Sequence, residues 1–439
     1  MISTRGPNRR VVVTGLGVIS PLGNRPDAFW SSIMEGTSGV RRLRSLPTDG
    51  LPVVFGGESI DFTGDAADFG VTDKQAARAI KKSLKVMCRE VMMGVAAAQL
   101  ALIDADLSAE RRDPDRTGVV YASDYIQTSP FDLVDAIRAC LGADGVLQLK
   151  QWSANGIGKI DPLWLLKYLP NMPASHIAIL NDLRGPSNSL TVREAGANLA
   201  VAEAYWSIAR GNTDAMIAGA TGSRIHPLCS TRAALREPLA RGDDPAVLCR
   251  PFDRGRSGMV LGEGAGALVL EERERAIRRG AVIWGEITGY GSSAVLGLDH
   301  PDHGRRAMRN ALAGALASSE HAASDIGHVH AHGLGTIESD IAEARAIADL
   351  FGPNTVPVIA CKSYFGNLGA AGGMVELIAS LLAMRNGRSI PVRNYRDPDP
   401  ECPVAVVIDA DTAPGDRFIN LSVSPQGQAS AILIDRASA

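Results

Sequence analysis

The chain has 439 residues, more than the about 250–300 residues that one hydrophobic core usually supports, so we expect two packed halves. Hydrophobic residues make up 45% and charged residues 21% of the chain, which is typical of a well-packed α/β protein and excludes a disordered one. The formal net charge is only −3, so no overall field favours nucleic acid or an anionic membrane.

The cysteines and the apolar runs indicate the compartment. The six cysteines are scattered without Cys-x-x-Cys spacing, which argues against a zinc site and against a disulfide framework. No apolar stretch reaches the roughly 18 residues of a membrane span, and the opening MISTRGPNRR lacks the apolar segment of a secretory signal. We therefore expect a soluble cytoplasmic protein with reduced thiols.

The first predicted element is a buried strand that enters a loop, in RRVVVTGLGVISPLG. Its glycines suggest a dinucleotide-binding turn, but Gly15-Leu16-Gly17 lacks the third glycine at the required offset. Ser20-Pro21 also follows where a helix would have to begin. A nicotinamide site is therefore not expected here.

Residues 74–104 predict one long helix, whose second half is apolar nearly all round and should be buried. Basic side chains recur at three- and four-residue spacing in the first half and therefore share one face. These side chains are Lys74, Arg78, Lys81, Lys82, Lys85 and Arg89. Two interpretations stay open, a solvated surface and a docking face for an anionic partner.

The rest of the chain alternates between strand-like and helix-like segments. A stretch rich in proline and aromatic residues, about 125–180, indicates an insertion. After it come a strand at 189–192, a helix to about residue 210 and the apolar strand DAMIAGAT, and the pattern restarts at VIWGEITGYGS. This alternation predicts a layered α/β fold with mainly parallel strands, in halves 1–270 and 271–439.

Two later segments carry residues suited to chemistry. HVHAHGLGTIESD places His328, His330 and His332 on one side of a strand, but about 7 Å apart, too far to share one metal ion. We expect no metal, with His332 reaching a site and the other two hydrogen-bonded in the core. In the glycine-rich turn CKSYFGNLGAAGG, the amide of Asn367 could donate a hydrogen bond to an oxyanion, while the small residues would allow close helix packing.

In this order, the motifs resemble the elongating β-ketoacyl-acyl carrier protein synthases over essentially the whole chain. The matching stretches are VVVTGLGVISPLG, RPFDRGRSGMVLGEGAGALVLEE, HGLGTIESDIAE and KSYFGNLGAAGG. The resemblance implies the thiolase fold, with two related βαβαβ-type halves in a five-layer α/β/α/β/α arrangement, and a dimer. It also implies an acidic acyl carrier protein as partner, whose phosphopantetheine is the only prosthetic group involved, and no cofactor of the chain itself.

The departures from the family pattern concern its active site, a cysteine in a T-A-C-A segment with two histidines. Aligning GPSNSLTVREAG on the family pattern puts Glu194 at the cysteine position and Arg193 just before it. His332 keeps the first histidine, Asn367 replaces the second, and Lys362 matches a family lysine. The loop that gates the family's acyl pocket reads SVSPQGQ here. The substrate-binding residues implied by the resemblance are Thr336, Val423, Pro425 and Gln426.

A glutamate cannot hold the transferable thioester that condensation requires, because that step needs a thiolate. The N-terminus of the following helix favours a carboxylate by about 0.3–1 kcal/mol, whereas burial without a partner costs several kcal/mol. A buried, ionised Glu194 therefore needs a partner, for which His332, Lys362 and Arg193 are the candidates. A purely structural alternative is that Glu194 closes a dead site through an ion pair.

Three functional interpretations follow. The favoured one is a non-condensing subunit, similar to chain length factors, that pairs with a cysteine-bearing ketosynthase and shapes the acyl tunnel. A second is a decarboxylase of malonyl carrier protein in which His332 and Asn367 stabilise the enolate. The third is acyl transfer or hydrolysis on a carrier-bound thioester, with Glu194 as general base and His332 as acid.

Overall fold

A computed structural model describes residues 9–46, 48–51, 53–295 and 302–437 of the chain. Its strands are β1 (Val11–Ile19), β2 (Val40–Arg42), β3 (Phe55–Gly57), β4 (Thr117–Ser123), β5 (Ser187–Leu190), β6 (Ala215–Ser223), β7 (Glu263–Glu272), β8 (Gly285–Ala294), β9 (His328–His330), β10 (Pro357–Ile359), β11 (Ala405–Val406), β12 (Arg417–Val423) and β13 (Gln428–Asp435). Its α-helices are α1 (Pro26–Met34), α2 (Lys74–Ser83), α3 (Arg89–Asp104), α4 (Val134–Arg138), α5 (Met172–Asn181), α6 (Gly196–Ala209), α7 (Pro227–Arg236), α8 (Arg273–Arg278), α9 (His303–Ser318), α10 (Ile337–Phe351), α11 (Lys362–Phe365) and α12 (Gly372–Asn386).

The strands divide into two halves that meet at one short contact. Eleven of them form a sheet in the order β11-β10-β9-β12-β13-β8-β1-β7-β6-β4-β5, and β2 pairs with β3 separately. Strands β1 and β8 pair only through Val12 with Glu286 and Val13 with Gly285. This narrow pairing lets the halves fold over each other, β5 to β1 on one side and β8 to β11 on the other.

The sheet is mixed, which corrects the expectation of mainly parallel strands. Strand β4 runs parallel to β5 and β6, and β9 runs parallel to β10 and β12. In contrast, β7 is antiparallel to β1 and β6, and β13 is antiparallel to β8 and β12. Strands β12 and β13 are joined by the tight turn at 424–427, with no crossover helix, and such a turn imposes antiparallel pairing.

Helices cover both halves in five layers. Helices α3 and α5 pack on the outer face of β1, β4, β6 and β7. Helix α9 covers β8, β12 and β13, and α10 packs against α9. Helices α6 and α12 lie between the halves, where α6 contacts β4, β6 and β13 and α12 contacts β7 and β12. Their small and apolar side chains are buried in the central cluster. The predicted α/β/α/β/α arrangement is confirmed.

Paired glycines explain the Gly-x-Gly motifs of both halves. A Cβ on Gly15 or Gly17 would lie 2.3 or 1.9 Å from backbone oxygens of α3. A Cβ on Gly289 or Gly291, on β8, would meet backbone oxygens of α9 at the same two distances. Only glycine allows a helix to approach a strand this closely. The motif therefore serves helix packing twice, and it marks the two halves as structural repeats.

The single helix expected over 74–104 is wrong. Helix α2 ends at Ser83, a 3-10 turn follows, and the chain is extended at Met87 and Cys88 before α3 begins. The break separates an exposed basic segment from a buried apolar one, since α3 packs between sheet and solvent and buries most of its residues. One straight helix could not place both segments in these environments.

The segment predicted as an insertion, 125–180, has two parts. Its first part, to residue 167, consists of 3-10 turns, a π-helical turn and the short helix α4. Its last part is α5, which packs on α3 and β4 and belongs to the outer helical layer. In the described part of the chain, no helix is both long and apolar enough to cross a membrane.

Candidate active site

A strained turn directs Glu194 into the protein interior. Strand β5 ends at Leu190, and Arg193 then adopts the left-handed conformation with φ +53°, which is uncommon for residues other than glycine. A 3-10 turn leads from there into α6. The second half of the fold holds this turn, because the Ser430 hydroxyl donates to the Ala195 carbonyl at 2.8 Å. Glu194 is only 2% exposed.

Two arginines and an amide bind one oxygen of Glu194. Its Oε1 accepts hydrogen bonds from Arg224 at 2.8 Å, from the Asn367 amide at 3.1 Å and from Arg193 at 3.3 Å. Both arginines also donate to Glu237, Arg224 at 2.6 Å and Arg193 at 3.4 Å. These four charged residues, Arg193, Glu194, Arg224 and Glu237, form what we call the charge cluster.

The charge cluster keeps Glu194 ionised. Burial by itself raises the pKa of Glu194, but the positive charges of Arg193 and Arg224 outweigh it and lower that pKa to about 2. The second oxygen, Oε2, is buried and has no hydrogen-bond partner within the residues described. Glu194 is therefore a fixed carboxylate at neutral pH, with one oxygen unpaired.

Sequence reasoning found one of the two cationic partners of Glu194. Arg193 is one of the three partners that the sequence predicts. Lys362 is paired with Glu376 instead, at 2.5 Å, and Arg224 is a partner outside that prediction. A signal for Arg224 did exist, because it directly follows the apolar strand β6. Side chains at the carboxyl ends of neighbouring parallel strands meet at one sheet edge, so Arg224 should have been placed beside the turn after β5.

His332 is held as a neutral ring. Lys362, buried and paired with Glu376, lies with its Nζ 3.2 Å from His332 Nδ1. Burial and the nearby Lys362 charge hold the pKa of His332 well below its usual range, although Glu194 acts in the opposite direction. With Lys362 donating to Nδ1, the ring proton resides on Nε2.

Acidic side chains of α10 position the loop that carries His332, which explains the Asp and Glu of HGLGTIESDIAE. Glu343 accepts the backbone N–H groups of His332 and Gly333 at 2.5 and 2.8 Å. Asp340 accepts that of Gly335 at 3.0 Å. Burial raises the pKa of Glu343 to about 8. The two side chains thus fix the loop through the backbone N–H groups of His332, Gly333 and Gly335.

Asn367 is committed to Glu194 and to its own turn. Its Nδ2 donates to Glu194 and, at 3.6 Å, to Met259 Sδ, while its Oδ1 accepts the Gly369 N–H at 3.0 Å. The bond from Gly369 fixes which side of the amide faces Glu194. In this arrangement the amide donor is not available to an oxyanion.

The other two histidines lie in the core, as expected. His328 and His330 share the Ser380 hydroxyl at 3.1 and 2.8 Å, and His328 also bonds the Pro414 carbonyl. Among the described residues, no three His, Cys, Asp or Glu side chains are grouped to hold a metal ion. All six cysteines are free thiols, and burial raises the pKa of Cys88, Cys229, Cys249 and Cys402 to about 12.

A cavity of about 680 Å³ opens onto the site. Its walls include Glu194 and His332 together with three predicted substrate-binding residues, Thr336, Val423 and Pro425. The fourth predicted residue, Gln426, instead lines a separate pocket of about 100 Å³ with Arg193 and Arg224. The structure therefore brings most of the predicted site together and places Gln426 on the far side of the charge cluster.

The predicted docking residues lie on the surface, away from this cavity. Lys74, Arg78, Lys81, Lys82 and Lys85 are exposed along α2 and the following 3-10 turn. In the described part of the chain, none of them forms an ion pair. Arg89 is the last of the six basic residues predicted to share one face, which we call the basic stripe. It turns inward instead and pairs with the buried Glu263 at 2.7 Å.

The chemistry open to this site is narrow. A carboxylate with a pKa of about 2 is almost never protonated at neutral pH, so it cannot act as a general acid and is a weak base. His332 is neutral and can donate one hydrogen bond to a group in the cavity. The site therefore offers the charged side chain of Glu194 and one hydrogen-bond donor, His332, but no thiolate nucleophile beside them.

Comparison with known proteins identifies the family. The model of the β-ketoacyl synthase N-terminal domain matches residues 8–276, and that of the C-terminal domain matches residues 284–396. The 3-oxoacyl-[acyl-carrier-protein] synthase 2 of Synechocystis sp. is 33% identical over 414 residues, covering 93% of this chain and 91% of that protein.

Solved structures share the whole architecture. The ishigamide ketosynthase/chain length factor superposes with a TM-score of 0.83 at 26% identity, covering 98% of this chain and all of the other. AntDE:AntF, a type II polyketide synthase acyl-carrier protein with its ketosynthase bound to the hexaketide, gives 0.81 at 25% identity with the same coverage. The chain has the thiolase fold and belongs to the β-ketoacyl synthase family.

Proposed function

We propose that this chain is a non-condensing member of its family, which pairs with a cysteine-bearing ketosynthase and helps to shape the tunnel for a growing acyl chain. The observation that carries the proposal is the state of Glu194. It occupies the nucleophile position predicted from the motif alignment, is buried, and is ionised between two arginines. A carboxylate so held offers neither a thiolate for acyl transfer nor a proton for acid catalysis.

The rest of the site supports the same role. The Asn367 amide, which stands where the family carries a second histidine, donates to Glu194 and is thereby removed from catalysis. None of the six free cysteines lines the large cavity beside Glu194. A chain length factor is part of one similar solved structure, and an acyl-carrier protein is part of another. We place the assembly in the cytoplasm, in fatty acid or polyketide synthesis.

An acyl carrier protein is the second partner that we propose. The five exposed basic residues of α2 and its following turn lie on one surface without ion-pair partners in the described structure. The resemblance to the elongating synthases implies that the carrier protein is acidic. Complementary charge increases the rate at which two such proteins associate.

One observation favours a second candidate, an autonomous enzyme acting on carrier-bound thioesters. His332, Thr336 and Glu194 line one cavity, and one oxygen of Glu194 has no hydrogen-bond partner among the described residues. Hydrolysis or acyl transfer would use His332 and Glu194 directly. Decarboxylation of a malonyl group is less compatible with this site, because the ionised Glu194 would repel the malonyl carboxylate.

The deciding experiment is purification of the tagged chain from its own host, with native mass and identification of co-purifying proteins. Under the proposal, a cysteine-bearing ketosynthase is recovered in equal amounts, and the isolated chain releases no CO₂ from malonyl carrier protein. Glu194→Gln and His332→Ala are assayed in parallel. A homodimer whose thioester turnover disappears in His332→Ala would replace the proposal with the autonomous enzyme.

A further inference from the structure

The charge cluster lies between two groups of cavities, each of them partly open to solvent. On one side lies the cavity of about 680 Å³, with Glu194 and Glu237 in its wall. On the other side lies the pocket of about 100 Å³, whose wall contains Arg193, Arg224 and again Glu237. The four side chains of the charge cluster therefore lie between the large cavity and the small pocket.

More space continues beyond the boundary. A further pocket of about 290 Å³ shares Gln127, Ser223 and Cys229 with the pocket of about 100 Å³, so the two adjoin. The walls of this further pocket include the apolar side chains Leu46, Ile126, Phe131, Ile225 and Pro227. An apolar chain that passed the charge cluster would find both room and apolar contacts there.

The charge cluster is built to stay closed. The side chains of Arg224 and Glu194 are only 9% and 3% exposed, and they bond at 2.8 Å. Moving Arg224 aside would break its bonds to both Glu194 and Glu237 and leave buried carboxylates with a weaker counter-charge. An entering hydrocarbon chain offers no hydrogen bonds to replace them.

We propose that Arg224 and Glu237 are specificity-determining residues, which end the acyl site at Glu194 and exclude longer chains from the space beyond. The inference rests on the proposed function only in taking a pantetheine-linked acyl group as the occupant of the large cavity. It applies equally to a partner subunit and to an autonomous enzyme. It predicts that the charge cluster, and not the total cavity volume, sets the accommodated chain length.

The test uses non-hydrolysable acyl-pantetheine amides from acetyl to dodecanoyl and measures their dissociation constants by calorimetry. For the wild-type protein, affinity should rise by about fourfold per methylene while the chain extends through the large cavity, and then stop rising. In the double variant Arg224→Ala, Glu237→Ala, which keeps the net charge, the rise should continue. The longest amides should bind at least tenfold more tightly than to wild type, and the short ones equally well.

The matched control is Arg236→Ala with Glu338→Ala, an equally charge-neutral pair that lines the same cavity outside the charge cluster. It should keep the wild-type dependence on chain length. If the double variant does not fold, as judged by thermal unfolding, Arg224→Gln with Glu237→Gln replaces it.

Three results would overturn the inference. The first is wild-type affinity that rises without interruption to dodecanoyl. The second is a double variant with the wild-type dependence on chain length. The third is no binding of any amide to the wild-type protein, which would remove the acyl occupant but leave the paired-subunit proposal to be decided by co-purification.

Discussion

Glu194 remains charged in the interior because two guanidinium groups share it. Its partners are themselves balanced by Glu237, so the charge cluster as a whole is neutral. Buried ion pairs of this kind add little to stability compared with apolar packing, yet removing one member is costly because the others stay buried. The residues of the charge cluster therefore depend on each other more than their individual contacts suggest.

Glu194→Gln should lower the free energy of unfolding at pH 7 by about 3–5 kcal/mol, since it leaves the two arginines with a single carboxylate. The loss should depend on pH. The pKa of Glu194 is lowered from 4.5 to about 2 in the folded protein, so its contribution is complete above pH 4.5 and disappears toward pH 2.

Urea unfolding of both forms at several pH values checks this prediction. From the lowered pKa of Glu194, the gap between wild type and Glu194→Gln should narrow by about 1–2 kcal/mol between pH 5.5 and 3.5. Glu203→Gln, at a half-buried position of α6 outside the charge cluster, serves as the control. A gap that is constant with pH would contradict the assigned ionisation of Glu194.

A second variant, Glu194→Cys, tests the surroundings of position 194 through a thiol. Two arginines beside it should lower the pKa of the new thiol and speed its alkylation. Burial raises the pKa of Cys88 and Cys229 to about 12, so these native thiols should react slowly.

The measurement is the rate of iodoacetamide labelling at pH 7.5, followed by peptide mass spectrometry. The peptide containing position 194 should be labelled at least tenfold faster than any native cysteine. Labelling that is slow at position 194 but fast at a native cysteine would mean that the field of the charge cluster does not activate a thiol.

The break between α2 and α3 separates two kinds of helix. Helix α3 is buried in the outer layer of the fold, while α2 presents basic side chains to solvent and only Ile80 is fully buried. Asp73 caps α2 by accepting the Ala76 N–H at 2.7 Å. An exposed helix with its own cap can carry binding residues without taking part in the core.

Lys81→Glu with Lys82→Glu should weaken binding of the acyl carrier protein and flatten its salt dependence, because both lysines are exposed and attraction between exposed charges is screened by salt. A loss of about tenfold at low salt is expected. The two glutamates also lie at the C-terminal end of α2, where they destabilise the helix by about 0.3–1 kcal/mol each.

Titrations at two salt concentrations provide the measurement, and Lys150→Glu with Lys159→Glu provides an equal change of charge elsewhere on the surface. Only the α2 variant should lose affinity. Equal losses of affinity in both variants would mean that the total charge of the protein matters and not the basic stripe. No loss of affinity would mean that the basic stripe is not the docking face.

Among the described residues of the whole molecule, large exposed apolar side chains concentrate in the segment between β4 and β5, the edge strand of the sheet. Strand β5 ends the sheet, and its residues Ser187 and Asn188 are exposed. Large exposed apolar residues cluster in the preceding segment: Tyr125, Phe131, Leu141, Val146, Leu147, Leu149, Ile157, Leu163, Leu165, Leu166 and Ile179. An open edge and an apolar surface together favour a subunit interface.

Leu149→Asp with Leu165→Asp should therefore weaken pairing with the proposed ketosynthase partner while leaving the fold intact. These side chains are 72% and 50% exposed, so replacing them removes little core packing. Co-purification yield and native mass report the pairing, and Ile408→Asp, at a 67% exposed position on another face, is the control. Full recovery of the partner with the double variant would place the interface elsewhere.

The local sequence was enough to predict several strands, the four motifs and most of the residues that line the site. Strand and turn patterns depend on neighbouring residues, so β1, β6 and the turn at Glu194 could be predicted, as could the roles of His328 and His330. The family resemblance added the five-layer arrangement. The helix break at Met87 could not be read from periodicity, because the two segments have similar helical spacing and differ only in what covers them.

Tertiary structure decided the partners of the buried charges that are distant in sequence, whereas Arg193 is the neighbour of Glu194 along the chain. Arg224 and Glu237 lie 30 and 43 positions from Glu194 in the sequence, and they meet it only because β5 and β6 flank β4 in the sheet and α7 follows β6. Lys362 likewise pairs with Glu376 because the fold brings the two side chains together. A charge in the interior is stabilised by whichever opposite charge the fold brings near it, and spacing along the chain does not reveal that distance.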